Sequence, residues 1–167
     1  MWKQYDGVAD GRVNVWFGAR TPGGVSTAFL TKMCAEAKAR NIHITMHCLE
    51  EEMDHEAFAE LQMSRMEYCD SIGLLSDRTV LIHMCWVEGD DITRLSKAGT
   101  HIAHCPASNI KLASGFCPVP QLLKVGRQCW HWLRRCALQQ YARPIPRNET
   151  GSLDTYGKYS RSQGGIS

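Results

Sequence analysis

The chain has 167 residues, of which 44% are apolar and 22% are charged, and its formal net charge is +2. This length suits one domain, and the apolar content excludes a wholly disordered chain. The balanced charge argues against a strongly basic nucleic-acid binder, and no apolar run is long enough to span a membrane. The first residues lack the order of a signal peptide. We therefore expect a cytoplasmic globular protein without a nucleic-acid or membrane partner.

Strand-like and helix-like stretches alternate along the first three quarters of the chain. Alternating or β-branched apolar residues predict strands over 12–17, 42–47, 79–84 and 100–105. Apolar residues at helical spacing predict helices over 27–39, 65–73, 90–98 and 119–125. Ser26 is the expected N-cap of the first helix, which Asn41 ends, and Gly99 ends the third. Residues 106–118 are expected to form a loop. Strands separated by helices predict an α/β fold with a parallel sheet.

Eight cysteines are present, and none forms a Cys-x-x-Cys pair. The spacing of common zinc fingers and redox motifs is therefore absent. Most of them lie in apolar segments such as LIHMCW and HIAHCP. Since no secretory signal precedes them, we expect reduced, buried thiols rather than a disulfide framework.

Three of the predicted strands end at or next to a histidine, namely His47, His83 and His104. In parallel α/β folds, chemistry takes place at the carboxyl ends of strands, so these side chains are expected near one another. Glu50 follows His47 by three residues, which can place an imidazole and a general acid or base in one pocket. The alternative is structural, because a strand histidine is often a hydrogen-bonded core residue. His47 and His83 on successive strands favour a metal or acid–base site.

The run HCPASNIKLASGFCPVPQLL resembles a signature of the amidohydrolase superfamily. The matching branch contains cytosine, guanine and S-adenosylhomocysteine deaminase-like enzymes and the triazine chlorohydrolases. ITMHCLE is similar to the fifth-strand His-x-x-Glu of that branch, VLIHMCW to its sixth-strand histidine, and VWFGARTPGGVS to its fourth-strand loop. The similarity covers roughly residues 8–126. It implies part of a TIM-like (βα)8 metal-dependent hydrolase barrel, about strands 4 to 7.

The resemblance also implies residue roles. His47 would be a ligand of a divalent metal, zinc or iron, and Glu50 would shuttle protons between the attacking water and the ring nitrogen or leaving group. His83 would orient that water or the substrate. Arg20 stands where relatives commonly carry a substrate-contacting histidine, and His104 and Asn109 would line the substrate pocket. The expected small-molecule partner is a nitrogen heterocycle, and relatives are often homo-oligomers.

Two features of the family pattern are missing from this sequence. No His-x-His occurs, although the family's first strand carries one, and the eighth-strand Asp is also absent. A complete barrel takes about 250 residues. We therefore expect residues 1–126 to form a partial barrel, and residues 127–167 to form an irregular, aberrant tail that is frameshifted or disordered.

A frameshift explains the tail in a testable way. Codons can be chosen for residues 127–151 so that reading one nucleotide later gives GNVGIGSDGALSNNTLDPFPEMKLA, which contains the Gly-x-Asp-Gly that the family pattern requires. Charge changes at the same point: residues 1–126 hold 12 Lys+Arg and 15 Asp+Glu, whereas residues 127–167 hold 7 and 2. Sequencing the transcript across the Gly126 codon tests this hypothesis, and an in-frame reading without a nearby intron or indel would refute it. A genuine basic helix over Trp130–Tyr141 is the alternative.

The sequence thus predicts a fragment of a metal-dependent amidohydrolase that hydrolyses C–N bonds by deamination, or C–Cl bonds, of nitrogen heterocycles with a metal-activated water. Two rival hypotheses remain. The chain is a catalytically inactive truncated fragment, or it is a small non-catalytic α/β binding domain that shares the motifs. Metal content and turnover discriminate among the three.

Overall fold

The computed structural model describes residues 2–54 and 61–126, together with the backbone of 129–131. Five parallel strands form one sheet in the order in which they occur along the chain. They are β1 (Phe17–Ala19), β2 (Ile44–Cys48), β3 (Thr79–His83), β4 (His101–His104) and β5 (Cys129–His131). A parallel sheet in which each strand lies beside its sequence neighbour is the arrangement of a sector of a (βα)8 barrel. The predicted α/β fold with a parallel sheet is confirmed.

Six α-helices lie within the described residues. They are α1 (Trp2–Tyr5), α2 (Thr27–Arg40), α3 (Arg65–Ser71), α4 (Asp90–Ala98), α5 (Pro106–Leu112) and α6 (Val119–Lys124). Short 3-10 turns cover Pro22–Gly24 and Glu52–Asp54. None of the described helices has the length and apolar character needed to cross a membrane.

The predicted helix ends agree with the structure where capping residues are present. The Ser26 hydroxyl accepts a hydrogen bond from the Phe29 backbone N–H at 3.3 Å, which satisfies a donor in the first turn of α2. Asn41 ends α2 with a φ of 61°, and Gly99 ends α4 with a φ of 78°. Both residues adopt the left-handed conformation that closes helices.

Two of the predicted elements were wrong. Residues 12–16 are not a strand, because their backbone bonds locally: the Gly7 N–H donates to the Val13 carbonyl at 2.9 Å, and the Val15 N–H donates to Asp6 Oδ1 at 2.9 Å. The predicted loop over 106–118 begins instead with α5. Pro106 stands at the start of α5. A backbone N–H in the first turn has no partner within the helix, so proline loses nothing there, and its fixed φ favours helix. The acidic run EEEMDHEAFAEL, whose composition predicts a loop that becomes a helix, falls partly on residues 55–60, outside the described part.

The strand β5 lies within the segment beyond residue 126, for which the sequence predicted irregular structure. It pairs with the edge of β4, where Ile102 is opposite Cys129 and His104 is opposite His131. The sheet edge offers unpaired backbone groups, which a short β-forming segment can satisfy. The other residues after 126 lie outside the described part.

One face of the sheet forms the hydrophobic core with the helices. Ile44, Met46 and Cys48 of β2 alternate with the half-exposed Thr45 and His47. The buried set belongs to a single cluster that also contains helix residues Leu30, Met33, Met66, Leu95 and Leu122. The six described cysteines are buried thiols, as predicted: Cys34, Cys48, Cys69, Cys85, Cys105 and Cys117. The core therefore fixes the strands, and the opposite face of β2 carries the partly exposed side chains, His47 among them.

Candidate active site

The predicted site residues collect at the carboxyl ends of the strands. Arg20 directly follows β1, His47 is the penultimate residue of β2, and Glu50 follows β2 by two residues. His83 is the last residue of β3, and it lies opposite Cys48 in the strand pairing. Asn109 lies on α5, which follows β4. The parallel pairing of the strands brings these five side chains to one edge of the sheet.

His47, Glu50 and His83 form a cluster that can hold a metal ion. Their candidate ligand atoms all lie within 4.8 Å of one another. The two imidazole rings are 5.0 Å apart between centroids and tilted by 32°. His83 is fully buried, Glu50 is 8% exposed and His47 is half-buried. Two imidazoles and a carboxylate are nitrogen and oxygen donors of the kind that zinc and iron take, so this donor set fits a divalent metal.

His83 is hydrogen-bonded at one ring nitrogen and lies beside the Glu50 carboxylate at the other. Its Nδ1 lies 2.7 Å from Asn109 Oδ1, and its Nε2 lies 3.2 Å from Glu50 Oε1. With the Asn109 amide in this orientation, Oδ1 accepts, so Nδ1 carries a proton. The Nε2 of a neutral His83 then offers a lone pair toward Glu50.

The backbone at the end of β3 supports this placement. His83 has a φ of 78° and Met84 a φ of 52°, so two successive non-glycine residues are left-handed. Such residues cost on the order of 1–3 kcal/mol each and are frequent at functional sites. The turn is held because the Met84 N–H donates to the Cys48 carbonyl at 3.0 Å and the Cys85 N–H donates to the Leu49 carbonyl at 2.8 Å.

Arg20 reaches the other oxygen of the same carboxylate. Its Nη1 and Nη2 donate to Glu50 Oε2 at 3.4 and 3.3 Å. The Arg20 side chain is 64% exposed, whereas that of Glu50 is 10% exposed. Solvent screens an ion pair of this kind, so it contributes little to stability. The Glu50 carboxylate is thus oriented by a buried imidazole at one oxygen and an exposed guanidinium at the other.

His104 ends the neighbouring strand β4 and is fully buried. Asn109, which the sequence assigns to the pocket wall, contacts the His83 ring directly. The substrate-binding roles of Arg20, His104 and Asn109 stay predictions.

Sequence reasoning missed two residues behind Glu50. Asp54 Oδ2 accepts the backbone N–H of Glu50 at 2.9 Å and that of Glu51 at 3.4 Å. Arg65, whose side chain is fully buried, lies with Nη2 3.6 Å from Asp54 Oδ1. Burial lowers the pKa of the Arg65 guanidinium, and the Asp54 charge opposes that shift. An aspartate four residues after Glu50 was a usable signal, since aspartate side chains commonly bond nearby backbone N–H groups.

Comparison with known proteins identifies the family. Residues 3–128 match the sequence profile of the Amidohydrolase family. The chain belongs to the amidohydrolase family. It is 36% identical over 123 residues to a 5-methylthioadenosine/S-adenosylhomocysteine deaminase of Haloquadratum walsbyi, an alignment that covers 73% of this chain and 28% of that protein.

Two solved structures share the fold. A zinc-bound adenosine deaminase of Xanthomonas campestris superposes with a TM-score of 0.70 at 26% identity, over 76% of this chain and 29% of that one. A zinc-bound atrazine chlorohydrolase of Arthrobacter aurescens superposes with a TM-score of 0.67 at 22% identity, over 71% of this chain and 26% of that one. The chain forms part of a TIM-like barrel, as its sequence predicted. It spans under a third of the length of these relatives.

Proposed function

We propose that this amidohydrolase chain carries the proton-transfer side of a metal-dependent active site that removes an amino group from a nitrogen heterocycle by hydrolysis. The observation that supports it best is the cluster of His47, Glu50 and His83 at the carboxyl ends of adjacent strands. Since the chain is similar to deaminases of adenine nucleosides, we propose such nucleosides as substrates. Hydrolysis of a C–Cl bond is the second reaction this site would suit, because a chlorohydrolase shares the fold.

In this proposal His47 is the metal ligand that this chain supplies, and Glu50 and His83 act on water and substrate. A divalent metal, when bound, supplies Lewis acidity that lowers the pKa of water and yields a nucleophile at neutral pH. Glu50 accepts the proton that the attacking water loses and delivers it to the ring nitrogen. A C–O bond forms at the amino-bearing carbon. The C–N bond then breaks as ammonia leaves with the second proton of water, and a ring carbonyl remains.

His83 and Arg20 keep Glu50 directed toward the substrate in this proposal. His83 is anchored by Asn109, so its Nε2 stays beside Glu50 Oε1 through proton transfer. Arg20 contacts Oε2 from the solvent side and would meet the substrate at the mouth of the site. A half-exposed His47 leaves one side of the cluster open for the heterocycle.

The alternative is a chain with the same descent that binds metal weakly and has no turnover. It is favoured by the cluster itself, because only His47 of its three residues matches a metal ligand of the family pattern. Zinc content and ammonia release from adenosine and 5′-methylthioadenosine, measured on the purified full chain, separate the two proposals. Stoichiometric zinc with turnover that His47→Ala abolishes supports the active enzyme. Absence of both bound zinc and turnover supports the inactive chain.

A further inference from the structure

We infer that Asp54 and Arg65 are positioning residues that fix the orientation of Glu50 relative to His83. For its consequence in catalysis this inference rests on the proposed function. The contacts that carry it join Asp54 to the Glu50 backbone and Arg65 to Asp54.

The first step is the contact between Asp54 and the Glu50 backbone. Asp54 Oδ2 accepts the N–H of Glu50 at 2.9 Å and the N–H of Glu51 at 3.4 Å. Two backbone donors on one carboxylate oxygen fix the peptide planes on both sides of the Glu50 Cα. A charged acceptor makes each of these bonds stronger than one between neutral groups. The direction in which the Glu50 side chain leaves the backbone is therefore set by Asp54.

The second step is the anchoring of Asp54 itself. The Arg65 guanidinium donates from Nη2 to the Asp54 backbone carbonyl and lies 3.6 Å from Asp54 Oδ1. The Arg65 side chain is fully buried, whereas that of Asp54 is 23% exposed. A buried cation is costly unless it is paired, so Arg65 favours conformations that keep Asp54 in place.

The third step is the position of Arg65 at the start of a helix. It opens α3, whose N-cap Ser64 accepts the Glu67 N–H at 3.0 Å. The same Ser64 hydroxyl donates to Asp91 Oδ1 of α4 at 2.6 Å. Helix α3 therefore starts at a fixed point against α4. The contact between α3 and α4 thus fixes Arg65, Arg65 fixes Asp54, and Asp54 fixes the orientation of Glu50.

The principal test uses Asp54→Asn in the full chain, with Asp6→Asn as the matched control. Asp6 Oδ1 also accepts one backbone N–H, from Val15 at 2.9 Å, but it lies on the N-terminal segment. In the metal-free protein we expect the Glu50 amide to exchange about tenfold faster in Asp54→Asn, because a hydrogen bond to a charged acceptor is weakened. We also expect the His83 Nε2 resonance to shift in ¹⁵N NMR spectra. Asp6→Asn should change neither.

Faster exchange of the Glu50 amide with an unchanged His83 resonance would overturn the inference, since Asp54 would then hold backbone without orienting the side chain. Unchanged exchange would overturn it as well. Arg65→Lys provides a second variant that keeps the buried charge, and it should shift the same His83 resonance in the same direction. If it leaves that resonance in place, Arg65 is not part of the positioning path.

A zinc titration of the same proteins tests whether the positioning of Glu50 also affects metal binding. If the wild-type chain binds zinc, Asp54→Asn should weaken binding about tenfold, as loss of groups behind metal ligands commonly does. Asp6→Asn should bind as the wild type does. Absence of zinc binding by the wild type contradicts the proposed function and leaves the NMR result for Asp54 and Arg65 as the test of positioning. Equal affinities in all three proteins would overturn the role of Asp54 in the metal cluster.

Discussion

The two faces of the central sheet are used differently. On the face toward the helices, Ile44 and Met46 of β2 and Leu81 of β3 are at most 3% exposed. On the opposite face, Thr45 and His47 of β2 alternate with them and are half-buried. One strand thus supplies core side chains and site side chains in turn, because successive residues of a strand point to opposite faces. In β2, stability is thus concentrated on one face and chemistry on the other.

Truncation of a helix-facing strand residue should have the largest effect on stability. Leu81→Ala removes a fully buried side chain from the centre of the cluster. We expect a loss of about 2–5 kcal/mol in the free energy of unfolding, from lost burial and the cavity left behind. Urea unfolding followed by circular dichroism measures it. The matched control is Val80→Ala on the same strand, whose half-buried side chain should cost clearly less. Equal losses would contradict the division between the faces.

Alkaline pH should weaken the same core through its thiols. Burial raises the pKa of Cys34 from 9.0 to about 11. Above pH 9 the unfolded chain loses this proton before the folded one does, so stability is complete below pH 9 and falls as pH rises toward 11. Two pKa units correspond to about 2–3 kcal/mol. Urea midpoints of the wild type and Cys34→Ala from pH 8 to 11 test it. Parallel pH profiles for the two proteins would contradict the Cys34 contribution.

Loss of the buried amide beside the site should have an intermediate effect. Asn109→Ala leaves His83 Nδ1, in the interior, without the acceptor it has at 2.7 Å. An unsatisfied buried donor costs about 1–3 kcal/mol. The control is Asn14→Ala, because Asn14 is exposed and donates to the Gly11 carbonyl at 3.2 Å. Thermal unfolding of both variants measures the difference. If Asn109→Ala is as stable as Asn14→Ala, His83 does not depend on this bond.

The sequence predicts the strands and capped helices well, since period and capping act locally. Its prediction for 79–84 differs from β3 by one residue, and the prediction for 90–98 agrees with α4. It fails at residues 12–16, where bonds to the preceding turn replace sheet pairing, and at α5, where Pro106 starts a helix. Local composition favours strand in the first case and loop in the second, so both errors come from context that short-range patterns omit.

The candidate site is predictable in its members but not in its contacts. Strand-end position brings His47 and His83 together, because parallel strands end at the same edge of the sheet. The bond from His83 to Asn109 and the brace of Asp54 by Arg65 depend on how α5 and α3 pack, and no motif spacing encodes that packing. Arg65 in particular lies in a helix whose sequence, RMEYCDS, carries no sign of an interior charge.

Replacement of Arg20 should have the smallest effect on stability and so gives the sharpest test of the division. Arg20→Gln keeps a polar side chain and removes the charge that faces Glu50 Oε2 at 3.3 Å. Because the Arg20 side chain is 64% exposed, we expect a change of about 0.2–1 kcal/mol that shrinks further in high salt. Urea unfolding at low and high ionic strength measures it. A loss above about 1.5 kcal/mol that persists in salt would place Arg20 among the residues that hold the fold. The expected small loss agrees with the proposal that the Arg20 guanidinium serves substrate contact and not the fold.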